Sequence, residues 1–272
     1  MNFVEFAHNN GLIIDRLYQD GKWHRVSTTD KPRKKNGAYL FDGRRGVVKN
    51  WATMDGFASW RENGLTREVG ERQARDMQAS RKEQERKHAQ AAQKASLALS
   101  NAELASHPYL VKKGFPKASG LVLEGNLLIP MRDLKTNELV SLQMVSEAGE
   151  KKFMPGGRAK GAVLRLGPKA AKWTWLVEGY ATGLSVMEGL RCLYREDAVL
   201  VCFSAGNLQH VSNLIPGRRM VFADHDASGT GQKVAEATGL PWVMSPIEGE
   251  DANDLHQRTG IWGLCALMRE AL

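Results

Sequence analysis

Hydrophobic and polar positions change rhythm several times along this chain. From residue 173 onward, short continuous apolar runs alternate with longer mixed segments. Trp173–Val177, Val199–Phe203, Met220–Ala223 and Trp242–Ser245 read as strands, with helices expected near 182–194, 206–214, 229–238 and 253–271. Apolar strands separated by helices predict a parallel sheet buried on both faces. Between 121 and 166 the runs are shorter. Leu127–Met131 and Glu138–Ser146 flank the polar turn Asp133–Asn137 as a hairpin would, and Lys151–Phe153 and Val163–Leu166 are further short strands. A short helix-turn is expected at 107–114, between Pro108 and Gly114.

Residues 66–100 are rich in Ala, Glu, Gln, Lys and Arg, lack proline and carry a single glycine, Gly70. That composition predicts a long polar helix joining two modules. Apolar heptads are missing, which argues against a coiled coil. Residues 1–63 predict a small β-rich module, with turns at Asp20-Gly21 and Asp42-Gly43 between strands Lys22–Val26, Ala38–Phe41 and Val47–Trp51. The expected organisation is a β-rich module over 1–65, a connector helix over 66–104, a small mixed α/β subdomain over 105–170 and a parallel α/β domain over 171–272.

Composition adds asymmetry. The 272 residues carry a formal charge of +8, and residues 1–117 hold 22 Lys and Arg against 13 Asp and Glu. A basic end beside a nearly neutral one suits a polyanionic partner, although a soluble helix-rich region has the same charge. In the first module Trp23, Tyr39, Phe41, Trp51 and Trp60 interleave with cations, as single-stranded nucleic acid requires. Most of these rings are expected in the core, with one or two exposed. Arg33, Lys34, Lys35, Arg44 and Arg45 are the candidate DNA contacts. Three scattered cysteines without a C-x-x-C argue against zinc and disulfides and fit a reducing cytoplasm. Neither a signal peptide nor a membrane span is expected.

The chemistry concentrates at Asp224-His225-Asp226-Ala227-Ser228-Gly229, directly after an apolar run. Alternation along a strand would put Asp224 and Asp226 on one face at its carboxyl end, where open α/β sheets bind ligands. Two such carboxylates suit Mg²⁺ or Mn²⁺, or equally a solvated strand end. Glu178-Gly179 ends the first parallel strand in the same way, and Glu250, Asp251 and Asp254 follow the fourth. Three acidic clusters at neighbouring strand ends would converge on one rim. Helix capping would explain Asn253 or Asp254 but not Glu178. The loop 155–161 is glycine-rich and basic, suited to a phosphate or to a plain turn, and the chain contains no P-loop.

In this order, Glu178-Gly179, helix, strand, helix, then Asp224-x-Asp226-x-x-Gly229 resembles the Toprim domain of DnaG-type primases, type IA and II topoisomerases and some nucleases. Upstream, Leu128-Ile129-Pro130-Met131-Arg132-Asp133, Lys152-Phe153 and Ala159-Lys160-Gly161 resemble segments of the primase polymerase core, and Tyr109-Leu110 with Lys113-Gly114 resembles its approach. Val177–Leu184 and Gly249–Leu255 look most like the Toprim primases of phages and plasmids. The resemblance spans roughly 107–260. It implies a Toprim-like four-stranded parallel sheet with flanking helices. A small mixed subdomain and a zinc-ribbon-like but zinc-free module would precede it.

The resemblance implies a nucleotidyltransferase making short RNA primers on single-stranded DNA. Glu178, Asp224 and Asp226 would be catalytic, and these three with Asp251 would hold Mg²⁺ or Mn²⁺. Lys152, Lys160, Arg158 and Arg132 would meet nucleotide or template phosphates. Nucleoside triphosphates and a separately encoded replicative helicase are the implied partners, with no room for a fused helicase. Thr182 and Asn253 stand where bacterial primases carry acids, and Gln143 where they carry an arginine, which thins the acidic ring. A Toprim nuclease and a non-catalytic nucleic-acid-binding adaptor are the alternatives.

Overall fold

The computed structural model describes residues 1–54, 56–62 and 67–271, excluding the side chains of 67–77. The expected start of the connector at 66 lies outside the described residues. The chain forms two compact units, Met1–Arg81 and Lys82–Leu272.

The first unit opens with helix α1 (Phe3–Asn9), which the sequence pattern did not predict. Asn2 and Glu5 form a capping box at its start, each side chain accepting the other residue's backbone N–H. Strands β1 (Leu12–Ile13), β2 (Trp23–Thr28), β3 (Gly37–Phe41), β4 (Arg45–Asn50) and β5 (Ala58–Arg61) follow as one antiparallel five-stranded sheet in chain order. Period-2 alternation gives that sheet two faces. One packs Tyr39, Phe41 and Val48 against Phe3 and Ala7 of α1. Phe3 stacks on Phe41 with ring centres 4.3 Å apart, over Gly46, where a side chain would strike the Phe3 ring.

Helix α2 (Arg67–Ser100) is the expected long helix. Ala91 and Ala95 on its second half are buried, Ala95 against Leu128 and Leu142, so this part of the helix is a packing element.

The second unit contains β6 (Glu103–Ala105), α3 (Pro108–Lys112), β7 (Gly120–Leu123), β8 (Asn126–Asp133), β9 (Leu139–Val145), β10 (Lys151–Phe153) and β11 (Ala162–Leu166). Alternating strands and helices complete it: β12 (Trp173–Val177), α4 (Tyr180–Cys192), β13 (Ala198–Val201), α5 (Ala205–Ser212), β14 (Arg218–Ala223), α6 (Thr230–Ala237), β15 (Trp242–Met244) and α7 (Ala252–Glu270). The expected hairpin is β8–β9. Strands β6 and β7, too short to carry a period, extend the sheet beside β8.

All ten strands of this unit form one mixed sheet. Strands β13, β12, β14 and β15 lie side by side in that order and are parallel. Strand β11 pairs antiparallel with both β13 and β8, fusing the parallel part to the hairpin. The expected four parallel strands are therefore one region of a larger sheet. Trp175, Val177, Met220 and Phe222 fill one face with residues of α4 and α7. Leu176, Leu200, Val221 and Ala223 fill the other with residues of α5 and α6.

The connection from β12 leads to β13 on one side, and β14 then returns to the other side of β12. The order reverses between β12 and β14, and such a switch point opens a crevice at the carboxyl ends of the strands. Helix α4 reaches this point by lying close on the sheet. A Cβ at Gly183 would stand 2.6 Å from Val201 Cγ2 and 3.4 Å from atoms of Leu166 and Val177. Gly183→Ala gains about 1 kcal/mol of helix propensity but overpacks a buried contact, at a cost of roughly 1–3 kcal/mol. The expected net effect is a lower Tm in thermal denaturation; a raised Tm would contradict this packing.

Candidate active site

Glu178 follows β12 and Asp224 follows β14, so two carboxylates end adjacent parallel strands, about 4.8 Å apart in a sheet. Asp251 comes after β15, the next strand along. The strand order sets this convergence.

Two acids, Asp226 and Asp251, are held by a helix start, and Glu178 lies near a third, that of α5, whose first N–H lowers it weakly. Asp226 Oδ2 accepts from Gly231 N–H at 2.8 Å, and its Oδ1 accepts from the backbone N–H groups of Ser228 and Thr230 and from the Ser228 hydroxyl. Those bonds hold its carboxyl down at about 2. Asp251 is the N-cap of α7, accepting from Asn253 and Asp254 N–H at 2.7 and 3.0 Å, and Thr182 Oγ1 donates to its Oδ2 at 3.1 Å. The cap is thus Asp251, and neither Asn253 nor Asp254 as the sequence suggested. Strand β14 stops at Ala223, so strand alternation does not relate Asp224 to Asp226. The loop turns Asp226 into the start of α6. Gly231 permits this: a Cβ there would lie 2.0 Å from the Asp224 carbonyl oxygen.

Asp224 differs from these three. Its Oδ1 is buried and has no hydrogen-bond partner among the described residues. Burial, then the charges of Asp251, Glu178 and Asp226, push its carboxyl up to about 7, against a partial opposing effect of Lys151. Burial and Asp226 also raise Glu178 above the usual carboxylate range. The donor set is all hard oxygen and locally over-negative, with one oxygen unsatisfied, which fits a hard divalent cation. Among the described residues no three acidic, His or Cys side chains already form an ion cage.

Lysine placement departs from expectation. Strand β10 pairs Lys151 with Val145 and Lys152 with Met144 of β9, so the two lysines face opposite ways. Lys152 pairs with Glu150 at 3.3 Å. Lys151 is near enough for its charge to lower both Glu178 and Asp224, and its Nζ lies 5.9 Å from the Tyr109 ring centre. The sequence reading missed Lys151 because a three-residue strand carries no register of its own. Arg158 is committed to Asp133 Oδ2 at 2.6 Å and to the Lys160 carbonyl. Arg132 donates to Asn137 O at 3.0 Å, closing the β8–β9 turn. Lys160 is exposed. Its loop is set by Asn207, another residue missed from sequence, which accepts from Gly161 N–H and donates to Ala162 and Cys202 carbonyls, each at 2.8 Å.

Of the remaining acids, Glu250 is taken up by Arg258 and Ser245, and Asp254 pairs with Lys113 at 3.4 Å. Asn253 is a buried tie, donating to Lys113 O and Ser185 Oγ. In the first unit Arg33, Lys34, Lys35 and Arg44 are exposed, whereas Arg45 is buried and so is withdrawn from the surface assigned to it.

No family model matches the chain. Solved structures resemble it at low identity. One is a chain of the bacteriophage T7 complex in which lagging-strand DNA polymerase interacts with primase domains bound to an RNA/DNA hybrid and dTTP. It is 17% identical with a TM-score of 0.44, over 63% of this chain and 92% of that one. The primase fragment of the bacteriophage T7 primase-helicase protein is 17% identical with a TM-score of 0.44, over 61% and 74%. The DnaG catalytic core is 14% identical with a TM-score of 0.39, over 71% and 73%. No helix among the described residues is long and apolar enough to cross a membrane.

The tie between the basic loop and the sheet has a pH signature. Asp133 accepts from Lys135 and Thr136 N–H and pairs with Arg158, and its carboxyl is lowered from 3.8 to about 2. A depressed carboxyl stabilises the fold above its unfolded value, and that contribution is lost as pH falls through the folded value. Asp133→Asn keeps an acceptor and removes the charge. Its Tm is expected below the parent's at neutral pH, with the gap closing between pH 3.8 and about 2. A gap independent of pH would refute the ionic contribution.

Proposed function

We propose that this chain is a Toprim-type DNA primase, joining nucleotides into short RNA primers on single-stranded DNA in phage or plasmid replication. One observation carries the reading: the partnerless buried oxygen of Asp224, whose carboxyl is raised by burial and the charges of Asp251, Glu178 and Asp226 and lowered by Lys151. Asp224, Asp226 and Asp251 would hold Mg²⁺ or Mn²⁺, with Glu178 a further ligand or the base. Such an ion, when bound, supplies charge neutralisation for a polyphosphate and a lowered pKa for a hydroxyl.

The chain's own groups supply the rest. In primer synthesis a 3′-oxygen forms a bond to an α-phosphorus, the bond to the departing pyrophosphate breaks, and the hydroxyl proton must leave. Glu178, raised by burial and by Asp226, would accept that proton. Asp226 and Asp251 are fixed in advance by helix-start N–H groups, so little reorganisation remains at reaction. Lys151 provides a cation facing the acids, where the triphosphate would lie, and Lys160 a second on a loop pinned by Asn207. The basic first unit would hold template, and a replicative helicase would be a partner.

A nuclease using the same acids is the second reading. It is favoured by one observation: Arg158, one of the residues expected to meet nucleotide, is committed to Asp133. Incubation with single-stranded DNA, Mg²⁺ or Mn²⁺ and labelled nucleoside triphosphates separates the readings on a gel. Short new oligomers are expected; shortened template would indicate the nuclease and an unchanged lane an adaptor. Asp224→Asn and Glu178→Gln should abolish synthesis and leave template binding intact, and Lys151→Ala should impair it far more than Lys152→Ala. Full synthesis by Asp224→Asn would sink the assignment.

Cation binding has an independent readout. Ionising Asp224 is costly in the ion-free site, so Mg²⁺ or Mn²⁺ should raise the parent's Tm, as any ligand of the native state does. Asp224→Asn should lose that shift. An equal shift in both proteins would place the ion elsewhere.

A further inference from the structure

The sheet of the first unit has a second face, opposite α1. Register places Trp23 and Arg25 of β2, Ala38 and Leu40 of β3, Val47 and Lys49 of β4, and Ser59 of β5 on it. Trp51 continues the Val47-Lys49 parity beyond β4, and Phe57 precedes Ser59 by two. Trp23, Trp51 and Phe57 are about half exposed or more, at 50%, 48% and 64%. The covered rings, Tyr39 and Phe41, are on the α1 face.

The exposed rings are arranged with cations. The Arg25 guanidinium carbon stands 4.2 Å over the Trp51 ring centre, and Lys49 Nζ 5.6 Å from that of Phe57. Trp23 and Phe57 are 5.7 Å apart, tilted by 48°. Arg25 also donates to Lys35 O at 2.6 Å through Nη2, which ties the exposed loop bearing Arg33, Lys34 and Lys35 to the same face. Among the described residues, Asp20 is engaged by His24 and Asp30 by Asn50. Flat rings in a cationic frame match a ligand with stackable faces and a repeating negative charge. Unpaired bases on a phosphate backbone have both, while a duplex hides its base faces.

We propose that this open face is a stacking platform for single-stranded DNA, with bases on Trp23, Trp51 and Phe57 and phosphates met by the Arg33–Lys35 loop. It deepens the primase reading by naming where template would lie. It also moves the contact from basic residues alone to the sheet's aromatic face, and needs neither Arg45 nor zinc.

The test uses the full chain and a fluorescently labelled oligothymidylate, by anisotropy over a salt series without divalent cation or nucleotides. Trp23→Ala and Trp51→Ala should each weaken binding about ten-fold. The slope of log affinity against log salt should stay unchanged, because no phosphate contact is lost. Combined replacement of Arg33, Lys34 and Lys35 by Ala should flatten that slope. Trp51→Phe, which keeps a ring, should retain most of the affinity. The parent's tryptophan fluorescence should be quenched by the strand, a readout free of any folding defect in a variant.

Parent-like binding by folded Trp23→Ala and Trp51→Ala would overturn the proposal. So would a Phe variant as weak as the Ala variant, a lack of quenching, or equal competition by duplex DNA. Stronger competition by single-stranded RNA would overturn the DNA assignment. Asp224→Asn should bind as the parent does, so failure of the platform and failure of the catalytic reading give different results.

Discussion

Crowding of negative charge at the carboxyl ends of β12 and β14 is the constraint on which the second unit turns. Raising the Asp224 carboxyl from 3.8 to about 7 corresponds to roughly 4 kcal/mol against its charged form. That is a large cost for a fold with a marginal net stability of a few times that size. Two helix starts offset the neighbouring charges, α6 at Asp226 and α7 at Asp251. Each supplies N–H donors and the positive end of a helix dipole. Asp224 Oδ1 is buried and receives no hydrogen bond among the described residues. A site whose charge is met at Asp226 and Asp251 but not at Asp224 fits the proposed divalent cation.

The close approach of backbone at Gly231 and the ties from Thr182 to Asp251 and Asn253 to Ser185 serve the same arrangement. They fix α4, α6 and α7 around the rim. Thr182 and Asn253 occupy positions where the resemblance would put acids. In this structure they are hydrogen-bonding residues that hold an acid or a helix, so the lean acidic ring comes with a better-held one.

Much of this was legible because the relevant signals are local. Continuous apolar runs ending in Glu178 and Asp224 mark buried parallel strands, and strand order then brings those ends together. What was not legible depends on register or on capping. Which lysine faces the acids is a one-residue question, and β10 is too short to answer it without its pairing to β9. Arg44 and Arg45 are adjacent in sequence, yet Asp42 accepts from both backbone N–H groups at the turn and the strand begins at Arg45, which buries it. Helix α1 was missed although Asn2-x-x-Glu5 is a capping box, and Asp251-x-x-Asp254 is a second. In both, acids that look like free charge are structural hydrogen-bond acceptors.

That distinction decides how the acids should be weighed. Counting carboxylates near Asp251 gives three, but Glu250 and Asp254 are each paired with a cation, and of the three Asp251 acts most on Asp224. Counting lysines and arginines in the β10–β11 region overstates the phosphate contacts in the same way, because Arg158 is pinned to Asp133. Function in this fold belongs to the charges left over after structural pairing is complete. In the proposed site the acids that remain centre on Asp224, and Lys151 and Lys160 are cations left for it among the described residues.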